Sequence, residues 1–299
     1  MQEQPKIIKA VKEYVSDPRH RITLDDLVTG EICKVLDLTT DEHFPGGSGR
    51  FSVEEFAMRL QKYESIIKDL LSMTVLLSYW GSNEYLPVLR KIIARVAEYE
   101  RGSGIASWFD LRGYPSLLVL YAAGIAAIAS RQYQNLAALL TTPTWSEHRY
   151  YRSEPVIISF ADTAGSLADV FKQLPGYERQ YVPQSEYLCK ILQPYLEELL
   201  FLGKSYEAMF DQFEVYFSLI YTDLKIREND FVCGPLGRFS WKQRSIGSST
   251  RPLVEVFEEA TSQGKDWLPL KAGLFGGSIE RFQKVAQQYS EFLRKLTVW

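Results

Sequence analysis

A chain of 299 residues with 46% apolar and 24% charged side chains can bury one large core or two smaller ones. Its net charge of −3 argues against wholesale non-specific binding to nucleic acid, though it leaves room for a local basic patch. Cys33, Cys189 and Cys233 are far apart and lack CxxC spacing, so a disulfide framework or a zinc site is not expected.

The N-terminal MQEQPKIIKAVKEY has no apolar signal core, and a cytoplasmic location is the expectation. Ile7, Ile8, Val11, Tyr14 and Val15 share one helical face, and Asp17-Pro18 ends that helix. Thr23 and Asp26 read as a variant capping box for a second helix striped by Leu24, Leu27, Val28, Ile32 and Val35. The stretch 39–50 contains HFPGGSG and reads as a loop. Ser52-Val-Glu-Glu55 is a full capping box, and it opens the clearest helix in the chain: Phe56, Leu60, Tyr63, Ile67, Leu70, Thr74 and Leu77 step by threes and fours up to Trp80-Gly81. A further helix covers about 84–100, and the GSG at 102–104 breaks it.

The stretch 111–140, LRGYPSLLVLYAAGIAAIASRQYQNLAALL, reads as a buried helical hairpin around which the rest is built. Pro115 suits a first helical turn, and Ala122, Ala123, Gly124, Ala126, Ala127 and Ala129 allow close backbone approach. Arg131-Gln132 makes the turn. The spacing from Gly124 to Tyr133 resembles one tetratricopeptide unit, but Leu136 stands where alanine is expected and nothing similar recurs. The rival reading is a membrane span, since no charge occurs between Gly113 and Ser130; Pro115, Ser116 and the flanking Arg112 and Arg131 count against it.

Residues 141–153 read as irregular, and EPVIISF (154–160) as a strand-like run that, lacking a partner, becomes a buried extended connection. Ser185 can cap a helix that Pro194 should kink or divide. Residues 204–227 form a long helix with Tyr206, Phe210, Phe213, Phe217, Ile220 and Leu224 along one side. A loop from 228 to 251, a short helix at 253–260 and a final helix capped by Ser278 complete the chain. The fold class expected is all-α: roughly ten helices in two packed lobes, 1–153 and 154–299, sharing a core around the hairpin.

Few motifs carry chemistry. His20, His43 and His148 lie in turns or loops without metal-ligand spacing, GGSGR (46–50) is not a nucleophile elbow, and Gly264-Lys265 is not a P-loop. Adjacent carboxylate pairs such as Glu54/Glu55 point about 100° apart on a helix and do not converge. No catalytic residue, metal ligand or cofactor is assigned. One stretch stands out: from Phe231 to Val254 there is no acidic residue, while Arg238, Lys242, Arg244 and Arg251 are positive and Phe239 and Trp241 offer flat faces. Arg238 and Arg244 would clasp phosphate oxygens, with Lys242 adding charge and Trp241 or Phe239 stacking on a base. The competing reading is a surface loop whose arginines pair with acidic helices of the same protein, with Trp241 tucked into the core.

RITLDDLVTGEI (21–32), YPSLLVLYAAGIAAIA (114–129), GRFSW (237–241) and DWLPLKAGLFGGSIERF (266–282) resemble the helical C-terminal portions of large, mostly uncharacterised bacterial multidomain proteins. Some of those carry a domain ahead of the helical part of the kind used in anti-phage defence. The resemblance implies a non-catalytic sensing or scaffolding module, partnered by another protein or an attached effector domain, and it names no reaction. The alternative is a nucleotide- or nucleic-acid-binding enzyme that uses the loop 231–251.

Overall fold

Helix α3 (Val53–Trp80) starts where Ser52 Oγ accepts a hydrogen bond from the Glu55 N–H at 3.3 Å. Only half of the expected capping box forms, because the Glu55 carboxylate turns forward to Arg59 (2.6 Å). The computed structural model describes residues 4–46, 51–98, 105–146, 152–227, 233–242 and 251–296. Among them the chain is helical apart from one two-stranded sheet, so the all-α expectation holds.

The chain forms two compact units, 1–202 and 203–299. The division expected at 153/154 falls inside the first unit. There β1 (Pro143–Ser146) pairs antiparallel with β2 (Arg152–Pro155), tying together the two sides of the expected boundary. The chain instead divides after α9 (Pro183–Leu200), where Phe201 and Gly203 both adopt positive φ.

In the first unit α3 packs along α6 (Tyr114–Ala129), whose residues from Tyr114 to Ile128 are all buried. The expected hairpin is present: Arg131, at φ 57°, makes the turn into α7 (Tyr133–Thr141). Asn135 on α7 donates to the carbonyls of Ser78 (3.0 Å) and Gly81 (2.9 Å), satisfying groups at the C-terminal end of α3. The apolar stretch 106–129 is long and apolar enough to cross a membrane, but its most apolar 18-residue window is wholly buried in the protein. Gly124 lies inside that packing, and Gly124→Leu should cost about 1–3 kcal/mol by overpacking. A chemical denaturation curve with an unmoved midpoint would show that the helices do not meet closely there.

Several expectations are corrected. α2 (Arg21–Leu38) already includes Thr23, so Thr23 does not cap it; it follows a 3-10 turn (Pro18–His20) capped by Asp17. α8 (Val156–Phe171) occupies most of what read as an extended run. Val156, Ile157, Phe160, Ala164, Leu167 and Phe171 are buried at helical spacing, so tertiary packing outweighs the β-propensity of Val-Ile-Ile. α9 starts at Pro183 rather than at a Ser185 cap, and it continues undivided through Pro194. α1 (Gln4–Ser16) forms as expected, as does α4 (Leu86–Ala97), though shorter than read; a short α5 (Ala106–Leu111) leads into α6.

The second unit is built on α10 (Tyr206–Arg227), with α11 (Arg238–Lys242), α12 (Pro252–Gln263), α13 (Leu268–Lys271) and α14 (Ile279–Lys295). Ser278 caps α14 as expected, accepting from the Arg281 N–H at 3.2 Å. The fully buried Trp267 anchors this core, 4.6 Å from the Phe282 ring and 6.1 Å from Tyr216. Residues 238–242, expected in a loop, form a helical turn instead.

Candidate functional site

The aromatic side of α10 is core, as its stripe predicts: Tyr206, Phe210, Phe213, Phe217 and Ile220 are all buried. The helix has a second stripe that the aromatics obscure. Glu207, Asp211, Glu214, Ser218 and Thr222 recur every three or four residues, and the last four are at most 1% exposed. So polar a face can be buried only if something satisfies it.

The segment 233–242 does so. The Gly234 N–H donates to Thr222 Oγ1 (2.9 Å), and Ser218 Oγ donates to the Pro235 carbonyl (2.6 Å). The Arg238 N–H, at the start of α11, donates to Glu214 Oε2 (2.7 Å). Arg238 then pairs with Glu207 at 2.8 Å, and Lys242 with Asp211 at 2.5 Å and Glu207 at 3.3 Å. From α14, Arg281 pairs with Asp223.

Two glycines make the docking possible. A Cβ on Gly234 would lie 2.6 Å from Ser218 Cα, and one on Gly237 would lie 2.6 Å from Glu214 Oε1. The electrostatics follow from placement. Arg238 holds the half-exposed Glu207 carboxyl below its usual range, whereas burial raises that of Asp211 despite Lys242. Burial likewise raises Asp223, and it pushes the Cys233 thiol up to about 11, which keeps it protonated and weakly nucleophilic.

The six residues singled out from sequence therefore separate. Arg238 is 7% exposed and Lys242 mostly covered, both bound to carboxylates of α10. Phe239 is fully buried, 6.1 Å from the Tyr289 ring, and unavailable for stacking on a base. Trp241 remains 37% exposed, which corrects the idea that it is tucked into the core. Arg251 is exposed at the start of α12, its N–H bonded to Glu255 Oε1 at 3.1 Å. Arg244, like Phe231, lies outside the described residues. His148 also lies outside them, and among the described residues no three His, Cys, Asp or Glu side chains are grouped to hold a metal ion.

Among the described residues this unit has a cleft of about 550 Å³ between α12 and α14, lined by Leu253, Val254, Phe257, Gln283, Ala286, Gln287 and Ser290. Phe257 is 38% exposed there, although its ring lies 6.2 Å from that of Phe282.

The first unit holds a separate ionisable cluster that sequence reasoning missed. Glu64 Oε1 on α3 accepts from the hydroxyls of Tyr114 on α6 (2.8 Å) and Tyr187 on α9 (2.9 Å). Burial raises the Glu64 carboxyl, and the two hydroxyls only partly offset this. A raised folded-state value means that Glu64 favours folding most at acid pH and loses that contribution as pH rises through it. Glu64→Gln keeps an acceptor for both hydroxyls without the charge. It should flatten the stability profile between the unfolded- and folded-state values of the carboxyl and raise the melting temperature at neutral pH. An unchanged profile would mean that the carboxyl is solvated.

Compared with protein-family models, curated proteins and solved structures, the chain matches none.

Proposed function

We propose that the chain is a non-catalytic interaction module, a sensing or scaffolding part that works through a partner protein or an attached effector domain. The observation that carries this reading is the division of labour in the second unit. The buried charges are spent on one another along α10, while the cleft between α12 and α14 presents apolar side chains with Phe257 partly uncovered. Buried ion pairs of this kind hold structure in place, each charge facing its counter-charge within the unit. An apolar cleft of this form suits an amphipathic helix. The resemblance to helical regions of bacterial multidomain proteins supports the same assignment, including the link to defence systems.

A nucleotide or single-stranded nucleic acid is the second reading, favoured by the exposure of Trp241 and Arg251. Titration with ATP and with a short single-stranded oligonucleotide, at low and high salt, separates the two. The interaction module should bind neither. Salt-sensitive binding that Arg251→Ala abolishes, with the melting temperature kept, would overturn it in favour of the second.

A further inference from the structure

Glu64 stands where three helices of the first unit meet, and neutral groups hold it there. Its hydrogen bonds come from Tyr114 of α6 and Tyr187 of α9, and among the described residues it has no ion pair. The charged side chains near it along α3 are engaged elsewhere: Arg59 with Glu55, Lys62 with the His43 carbonyl and Asp69 with Lys34 of α2. Lys68, one turn beyond Glu64, lies 5.6 Å from the centre of the Tyr195 ring. His43, in the segment before α3, is exposed and bonded to Thr40. From α8 comes the apolar Phe171, 5.1 Å from the Tyr187 ring and 6.2 Å from that of Tyr114. Burial raises the phenols of Tyr114, Tyr187 and Tyr195, so within this cluster the charge that changes between acid and neutral pH is that of Glu64.

Of the three helices, α9 is held least firmly at this point. α6 is buried from Tyr114 to Ile128, and α3 packs along it. α9 begins at Pro183 after the turns of 172–182, and no side chain caps its first turn. Gln184, in that turn, has a buried amide nitrogen with no hydrogen-bond partner among the described residues. Lifting the first turns of α9 would therefore hydrate an unsatisfied amide and uncapped N–H groups together with Glu64.

We propose that Glu64 is a proton-operated latch: protonated, it keeps the first turns of α9 closed on α3 and α6, and ionised, it lets them open. Opening solvates the carboxyl and returns it towards its ordinary value, so the open state binds fewer protons than the closed one. Between the open- and closed-state values, opening becomes easier by up to about tenfold per pH unit, and above both it levels off. The bonds from the two phenols strengthen on ionisation, which limits how far the equilibrium moves. The latch goes beyond the interaction-module reading and does not depend on it.

Hydrogen exchange read by mass spectrometry tests the latch in the full chain, with labelling times scaled to the intrinsic exchange rate at each pH. Amides of residues 187–192 should lose protection as pH rises from acid and then reach a plateau, while those of α6 hold theirs. Glu64→Gln should keep the acidic wild-type protection of α9 at every pH. Tyr187→Phe, which retains the ring, is the second variant: with one donor fewer to the carboxylate, its plateau should move to higher pH. Protection of α9 that does not change with pH overturns the proposal, as does a pH dependence that Glu64→Gln retains. Loss of protection in α6 in step with α9 would also overturn it, since the effect would then be unfolding of the whole unit. If Glu64→Gln fails to fold, an unmoved plateau in Tyr187→Phe overturns the latch and a shifted one supports it.

Discussion

Gly234→Ala is expected to destabilise the second unit by about 3 kcal/mol, the upper end of what overpacking costs. The added methyl would sit 2.6 Å from Ser218 Cα and 2.9 Å from its carbonyl carbon. Both atoms belong to the backbone of α10, so no side chain can swing aside. Either the 233–237 segment lifts, breaking the bonds from Gly234 to Thr222 and from Ser218 to Pro235, or α10 deforms. Urea denaturation followed by tryptophan fluorescence would read the change as a lower midpoint, since the buried Trp267 reports on this core. Gly30→Ala and Gly165→Ala provide the contrast. Both glycines lie inside helices with nothing within 4 Å of an added Cβ, and alanine there should stabilise by about 0.5–1 kcal/mol. If Gly234→Ala behaved like these two, the segment would not lie against α10.

The helices that carry a one-sided apolar stripe were legible from the residues alone. α3, α6 and α14 fall close to where spacing, Ser52, Pro115 and Ser278 place them. What misled was residue type read without its partner. Val156-Ile-Ile looked extended because β-branched residues favour strands, yet its burial repeats at helical period; the strand lies just before it, and its partner is only four residues long. Arg238 looked like half of an anion clasp with Arg244, and Lys242 like an added charge, because their neighbours in sequence include no acid. Their counter-charges lie on α10, about thirty residues earlier. That pairing had a visible signal: the repeat Glu207, Asp211, Glu214, Ser218, Thr222 is as regular as the aromatic stripe beside it. A helix with two such stripes must bury polar groups, so it calls for a donor-rich segment elsewhere in the chain. The Gly234-Pro-Leu-Gly237 spacing, small residues ahead of two cations, is that segment. The cleft and the Glu64 cluster were not legible, because each is assembled from helices distant in sequence.

The ion pair between Lys242 and Asp211 should behave differently in acid and at neutral pH. Both side chains are largely covered, at 12% and 2% exposure, so water cannot replace a missing partner. Lys242→Met keeps the apolar stem and removes the charge, stranding a buried carboxylate; near neutral pH the cost should be on the order of 3 kcal/mol. Burial already raises the Asp211 carboxyl in the native protein, so its contribution to stability is present in acid and declines as pH rises through the folded-state value. Without Lys242 the opposing attraction is gone and the carboxyl rises further. The deficit of the variant should therefore be small where Asp211 is protonated, then widen as the wild type ionises it beside a cation and the variant cannot. Denaturation midpoints across that range would follow the widening gap. Adding Asp211→Asn to Lys242→Met should restore most of the loss at neutral pH, since a neutral amide needs no counter-charge. A deficit that is constant with pH and unrelieved in the double variant would place the defect in packing around the lysine stem rather than in the pairing of charges.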